Sequence, residues 1–163
     1  MNEKIYENIS SLIYRHQYGP QMLKLINKIV TAIVYCTYPV FLFILAYNHD
    51  IMLWRALLTP GISFVLVSIF RNIFNAPRPY ETLDILPIIK KDTKGKSFPS
   101  RHVFSVFVIA TTIYQIFNTL GVILFLIGIV LAIIRVLGGV HFPRDVIAGA
   151  IIGILCGILG FSL

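Results

Sequence analysis

Three short stretches set acid–base, nucleophilic and cationic side chains among apolar segments. They are Arg71 with Arg78-Pro79, Pro99-Ser100-Arg101-His102, and Arg135 with His141 and Asp145. An ionisable side chain at bilayer depth costs roughly 2.5–3.5 kcal/mol on insertion scales, so residues of this kind ask for a role. Two arginines seven residues apart suit an anion such as phosphate, because each planar guanidinium can grip two oxygens. At the end of an apolar run they equally suit snorkelling to lipid headgroups. Ser100 stands just before an apolar helical run, where a serine N-cap is expected. The same helix start would present free N–H groups and a positive dipole end to an anion, with His102 in its first turn. Pro143 suits the first turn of a further helix, so His141 precedes a helix start and Asp145 follows four residues later. Asp145 can stabilise that helix end by its charge alone. It can also accept a hydrogen bond from one imidazole nitrogen, fixing the tautomer and leaving the other nitrogen as a nucleophile.

The elements that must position these residues are membrane helices. The chain has 163 residues, 57% of them hydrophobic and 13% charged, against about 25% charged in a soluble domain. Its mean hydropathy is +0.83. The net charge of +7 sits at the ends of apolar runs, where it meets lipid headgroups or an anionic substrate rather than nucleic acid. Cys36 and Cys156 fall inside apolar runs and read as buried packing thiols, with no metal-ligand spacing. The sequence also lacks clustered carboxylates able to hold magnesium, so no metal or cofactor is expected.

The expected fold is all-α: a polytopic transmembrane bundle of about five spans plus an N-terminal amphipathic surface helix. Runs near 29–47, 56–74, 103–120, 121–140 and 146–163 approach the roughly 20 apolar residues that a crossing needs. Thr59-Pro60-Gly61 predicts a kink in the second. Asn118-Thr119 and Gly121 predict a tight reversal between the third and fourth. Glycines 149, 153, 157 and 160 give the last span a small-residue face. Ile5, Ile9, Leu12 and Ile13 recur at helical spacing among charges, which predicts a helix on the membrane surface. The division is thus 1–28, an amphipathic segment, and 29–163, a transmembrane domain. No cleaved signal peptide is expected, because no positive n-region leads directly into an apolar core. The stretch 75–100 is the one long polar connection, with four prolines and four lysines. A loop of that length in so small a protein is usually functional or disordered. Counting spans puts it on the same face as the 138–145 turn.

Order and spacing of the three stretches resemble the type 2 phosphatidic acid phosphatase family, whose site is shared with vanadium-dependent haloperoxidases. That pattern is a lysine, six residues, then Arg-Pro; Pro-Ser-Gly-His; and Ser-Arg, five residues, His, three residues, Asp. Arg71 stands here for the lysine, Arg101 for the glycine and Ile134 for the serine. The resemblance covers about residues 56–160. It implies that His141 is the nucleophile, that Asp145 orients it, and that His102 protonates the leaving oxygen and later activates water. Arg71, Arg78, Ser100, Arg101 and Arg135 would hold the phosphate oxygens.

The expected substrate is a lipid phosphate met laterally in the bilayer, such as phosphatidate, phosphatidylglycerol phosphate or an isoprenyl diphosphate. A haloperoxidase is the same-site alternative and would need bound vanadate. A non-enzymatic membrane packing or transport subunit is the alternative from another class. The setting is a cell membrane crossed several times. Eight basic residues (Lys4, Arg15, Lys24, Lys28, Lys90, Lys91, Lys94 and Lys96) flank the site face, and Arg55 lies toward the other. The positive-inside rule then places the site in the cytoplasm, whereas the family resemblance implies an external face.

Overall fold

The computed structural model describes residues 3–89 and 93–162. Its helices run in the order α1 Glu3–Tyr14, α2 Gly19–Tyr47, α3 Leu53–Phe74, α4 Pro79–Thr82, α5 Arg101–Tyr114, α6 Asn118–Leu137 and α7 Pro143–Ser162. Among the described residues there is no strand, as the apolar runs predict.

The bundle is built around α5. Val103, Phe104 and every residue from Val106 to Ile113 are buried on it, packed by α2, α3, α6 and α7. The expected third span, near 103–120, forms as the shorter helix Arg101–Tyr114. With 14 residues, α5 is about 21 Å long at 1.5 Å per residue, short of the roughly 30 Å hydrocarbon core. It tolerates that length because its neighbours, not lipid, surround it. Among the described residues, four other helical segments are long and apolar enough to cross: Gly19–Tyr47, Leu53–Thr82, Asn118–Leu137 and Pro143–Ser162.

The glycine face of α7 seats directly on α5. A methyl on Gly149 would stand 2.8 Å from the Ser100 carbonyl oxygen, and one on Gly153 would stand 2.8 Å from that of Phe104. Close backbone approach of this kind is what small residues permit where apolar lipid gives no hydrophobic drive. Gly121, expected in a reversal, instead lies inside α6, where a methyl would stand 2.4 Å from Tyr114 Cα. The reversal itself falls at Gln115–Phe117. Pro60 lies inside α3, which continues through it.

At the N-terminus α2 begins at Gly19, with a proline in its first turn, so the helix passes through position 28 rather than starting after it. Helix α1 forms over the amphipathic stretch and has two apolar attachments. Ile5 and Leu12 are exposed, while Tyr6 is buried and its hydroxyl donates to the Leu86 carbonyl at 3.3 Å. Ile13 packs with Ile89 and Leu137 around Leu23, Ile88 and Ile134. Tyr6 and Ile13 thus hold α1 on the 75–100 connection. At the far end of the bundle, Arg55 donates to the Phe161 carbonyl at 3.0 Å. Both cysteines are free. Cys156 is half-buried and Cys36 is exposed, so the packing-thiol expectation fails at Cys36. Lys90 and Lys91 lie outside the described residues.

Candidate active site

The 75–100 connection folds back on itself before it reaches α5. Asn75 ends α3 in the left-handed region, at φ 40°. The Glu81 carboxylate then accepts from the Arg78 N–H at 2.7 Å and from the Gly95 N–H at 2.9 Å. Gly95 and Lys96 follow with φ of 63° and 53°. Two successive left-handed residues turn the chain so that the Ser97 N–H donates to the Ala76 carbonyl at 2.8 Å.

Arg71 and Arg78 lock this fold from inside. The Arg71 guanidinium donates to the carbonyls of Lys96, Ser97 and Pro99. Arg78 donates through Nε to the Gly95 carbonyl at 3.0 Å and through Nη1 to that of Val140 at 3.1 Å. Both side chains are buried, which sets aside snorkelling to headgroups. A guanidinium carries five N–H donors, so each arginine retains donors beyond these carbonyls. The Val140 N–H in turn donates to the Arg135 carbonyl at 3.3 Å, which ties the end of α6 to the same turn.

His141 lies in that turn at 1% exposure. Its Nδ1 stands 3.6 Å from Asp145 Oδ2 and 3.3 Å from Ser97 Oγ. Asp145 Oδ2 accepts from Ser97 Oγ at 2.5 Å and from the Phe142 N–H at 3.0 Å. The Asp145 backbone carbonyl accepts from the Ser100 N–H at 2.8 Å. One aspartate therefore joins the start of α7, the start of α5 and the folded loop. Burial pushes the His141 imidazole down to about 4, with the nearby Arg78 and Arg135 charges adding to the effect against the pull of Asp145. His141 is thus neutral at pH 7, as a nucleophilic nitrogen must be.

Ser100 does not make the cap its position predicts. Its backbone carbonyl accepts from the Phe104 N–H at 2.9 Å, but its hydroxyl, fully buried, has no partner among the described residues. Arg135, also buried, has an Nε in the same condition. His102 stands half-buried in the first turn of α5. Arg101 is exposed, and its guanidinium carbon lies 5.5 Å from the centroid of the Phe64 ring on α3. Six of the eight predicted residues are thus buried at one end of the bundle, with His102 partly so and Arg101 outside.

A family model described as the PAP2 superfamily matches residues 52–163. The chain belongs to the PAP2 superfamily. Its fold is similar to that of Aquifex aeolicus LpxE, with a TM-score of 0.77 and 29% identity over 99% of this chain and 95% of that one. It is also similar to the PAP2 type phosphatidylglycerolphosphate phosphatase from Bacillus subtilis, with a TM-score of 0.74 over 98% of this chain and 84% of that one. At 21% identity the second likeness speaks for the fold. In sequence, the chain is 26% identical over 114 residues to the bacitracin transport permease protein BcrC of Bacillus licheniformis. The match covers 70% of this chain and 56% of BcrC, so this PAP2 chain spans about half the length of that relative.

Three residues of the site were missed in the sequence. Glu81 fastens the loop, Ser97 touches both His141 and Asp145, and Tyr6 abuts the turn at Gly139. Only Glu81 carried a signal, lying three residues after Arg78 at the start of a short helix, where a carboxylate reaches back to the N-cap N–H. Among the described residues, no group of three or more His, Cys, Asp or Glu side chains gathers as metal ligands would.

Proposed function

We propose that this protein is an integral membrane lipid phosphatase that hydrolyses a phosphomonoester or diphosphate of a lipid through a phosphohistidine. The observation that carries this reading is one end of the bundle: buried His141 beside Asp145, together with the unpartnered Ser100 hydroxyl and Arg135 Nε. A buried donor without a partner costs about 1–3 kcal/mol, and a phosphate oxygen satisfies such donors well.

In the proposed reaction Nε2 of His141 attacks phosphorus and the bond to the lipid oxygen breaks. His102 gives that oxygen a proton. His102 then takes a proton from water as the water attacks the phosphohistidine, which releases phosphate and restores His141. Arg71, Arg78, Arg135 and Ser100 stabilise charge on the equatorial oxygens throughout, with Arg101 at the rim. The site needs no metal in this scheme, since the arginines supply the positive charge. An apolar groove of about 390 Å³ between α6 and α7, lined by Phe107, Val136, Leu137, Pro143 and Val146 among others, flanks the site and suits a lipid chain.

A transport role, suggested by the name of BcrC, is less well supported. The buried charged residues Arg71, Arg78, Arg135, His141 and Asp145 cluster at one end of the bundle rather than along a path through it.

The test is phosphate release in detergent from phosphatidate, phosphatidylglycerol phosphate and an isoprenyl diphosphate, with and without excess EDTA and with vanadate. Activity on at least one lipid is expected to survive EDTA and to fall with vanadate, a mimic of the trigonal-bipyramidal transition state. Complete loss on chelation, restored by magnesium, would overturn the mechanism. Absence of release from every lipid phosphate would overturn the function.

A further inference from the structure

Asp145 and His141 are not in direct hydrogen-bond contact. Their nearest atoms, Oδ2 and Nδ1, stand 3.6 Å apart, beyond the range of a useful N–H···O bond. Ser97 Oγ lies between them, 2.5 Å from Oδ2 and 3.3 Å from Nδ1. An ionised carboxylate only accepts, so the hydroxyl proton of Ser97 points at Asp145. The oxygen is then left with lone pairs toward Nδ1, and the arrangement is satisfied only when Nδ1 carries the imidazole proton. Nε2 keeps its lone pair.

Every other polar atom of Ser97 is also fixed. Its N–H donates to Ala76 and its carbonyl accepts from Arg71 at 3.3 Å. The left-handed pair Gly95 and Lys96 sets its direction, and the residue is fully buried. With its backbone anchored and its side chain fully buried, Ser97 presents its hydroxyl between Asp145 and His141.

We propose that Ser97 is a positioning residue of the reaction: it relays the Asp145 charge to Nδ1 of His141 and fixes the tautomer that exposes Nε2. The inference rests on the phosphatase reading above. When Nε2 bonds to phosphorus the ring becomes positive, and the Nδ1–H···Oγ–H···Oδ2 chain strengthens without any proton leaving its atom.

The experiment uses Ser97→Ala and Ser97→Cys in the full chain, with steady-state kinetics and imidazole nitrogen NMR on histidine-labelled protein in detergent. His141→Gln assigns the His141 signals. Ser97→Ala should lower kcat roughly 10- to 150-fold, the equivalent of a hydrogen bond to a charged group, and leave KM near the wild-type value. The His141 spectrum should lose population of the form protonated at Nδ1. Ser97→Cys fills the same space with a weak donor and acceptor, and should fall toward Ser97→Ala in both readouts. If Ser97→Ala does not fold, Ser97→Cys carries the test alone. Wild-type kcat or an unchanged His141 spectrum in the folded variant overturns the proposal, and so does a Ser97→Cys protein equal to wild type. If wild-type protein releases phosphate from no lipid, the phosphatase reading fails separately and the spectrum alone judges the relay.

Discussion

The hydroxyl of Tyr6 occupies the space that a side chain on Gly139 would need: a methyl there would stand 2.5 Å from it. Gly139 has φ of 73° and lies two residues before His141. The N-terminal helix is therefore fitted against the turn that carries the proposed nucleophile, and Tyr6 gains a second anchor in the Leu86 carbonyl.

Gly139→Ala should meet two obstacles, a left-handed backbone and the Tyr6 ring. Together these should destabilise the protein by about 1–3 kcal/mol, with a fall in kcat as the His141 turn shifts. Thermal midpoints in detergent are the check. Adding Tyr6→Ala should relieve the steric part and leave the backbone part, so the double variant should recover only partly. A Gly139→Ala protein with wild-type midpoint and activity would remove the fitted contact from the account.

Ile134 occupies the place of the family serine, and the structure explains the exchange. It is buried against Leu23 and Ile88, with Ile13, Ile89 and Leu137 around them. Ile134→Ser should therefore lower stability by about 2–4 kcal/mol, in the range of large-to-small core changes, without raising kcat. A gain in kcat at unchanged midpoint would mean that the position faces phosphate after all.

The two histidines should separate by substrate. His141→Ala should abolish turnover of every phosphate ester, since no phosphoenzyme can form. His102→Ala should be severely slow on lipid esters, yet retain phosphoenzyme formation with an activated aryl phosphate, whose leaving oxygen needs no proton. Rapid-quench trapping of labelled enzyme distinguishes them. Trapped label in the His141→Ala protein would dismiss the nucleophile assignment.

Acid should weaken the fold through His141. Its folded value near 4 lies below the ordinary 6.5, so the unfolded chain binds the proton more tightly. The stabilisation is full above about pH 6.5 and is lost as the pH falls toward 4, amounting to about 3 kcal/mol. Thermal midpoints measured from pH 7 to pH 4 should fall, and His141→Gln should flatten that fall. An equally steep fall in the variant would assign it elsewhere.

The charge asymmetry predicts that the site face is cytoplasmic. A single cysteine introduced at Lys94, in a background with Cys36 and Cys156 replaced, should resist a membrane-impermeant thiol reagent in intact cells and react after permeabilisation. Rapid labelling in intact cells would place the site outside and turn the lysines into a substrate-recruiting surface.

Local spacing alone made part of the site legible. His141 and Asp145 are four residues apart across one helix start, and Ser100 and His102 lie within the first turn of another, so each pair is close by local geometry alone. Arginines at the ends of apolar runs could be assigned to one end of the bundle by counting spans. The glycine stripe of α7 was likewise visible, because a repeat near four residues marks one helical face. What spacing could not convey is what each polar group would bond to. Arg71 and Arg78 hold loop carbonyls because Gly95 and Lys96 adopt left-handed conformations that bring those carbonyls inward. Ser100 leaves its hydroxyl unpartnered instead of capping α5. Ser97, separated from His141 by 44 positions, enters the site only when that loop closes. The length of α5 was also undecided in the sequence, since an apolar run reads alike whether lipid or protein surrounds it. Burial by four neighbouring helices is a property of the packed bundle, and that packing lets a helix of 14 residues serve as its centre.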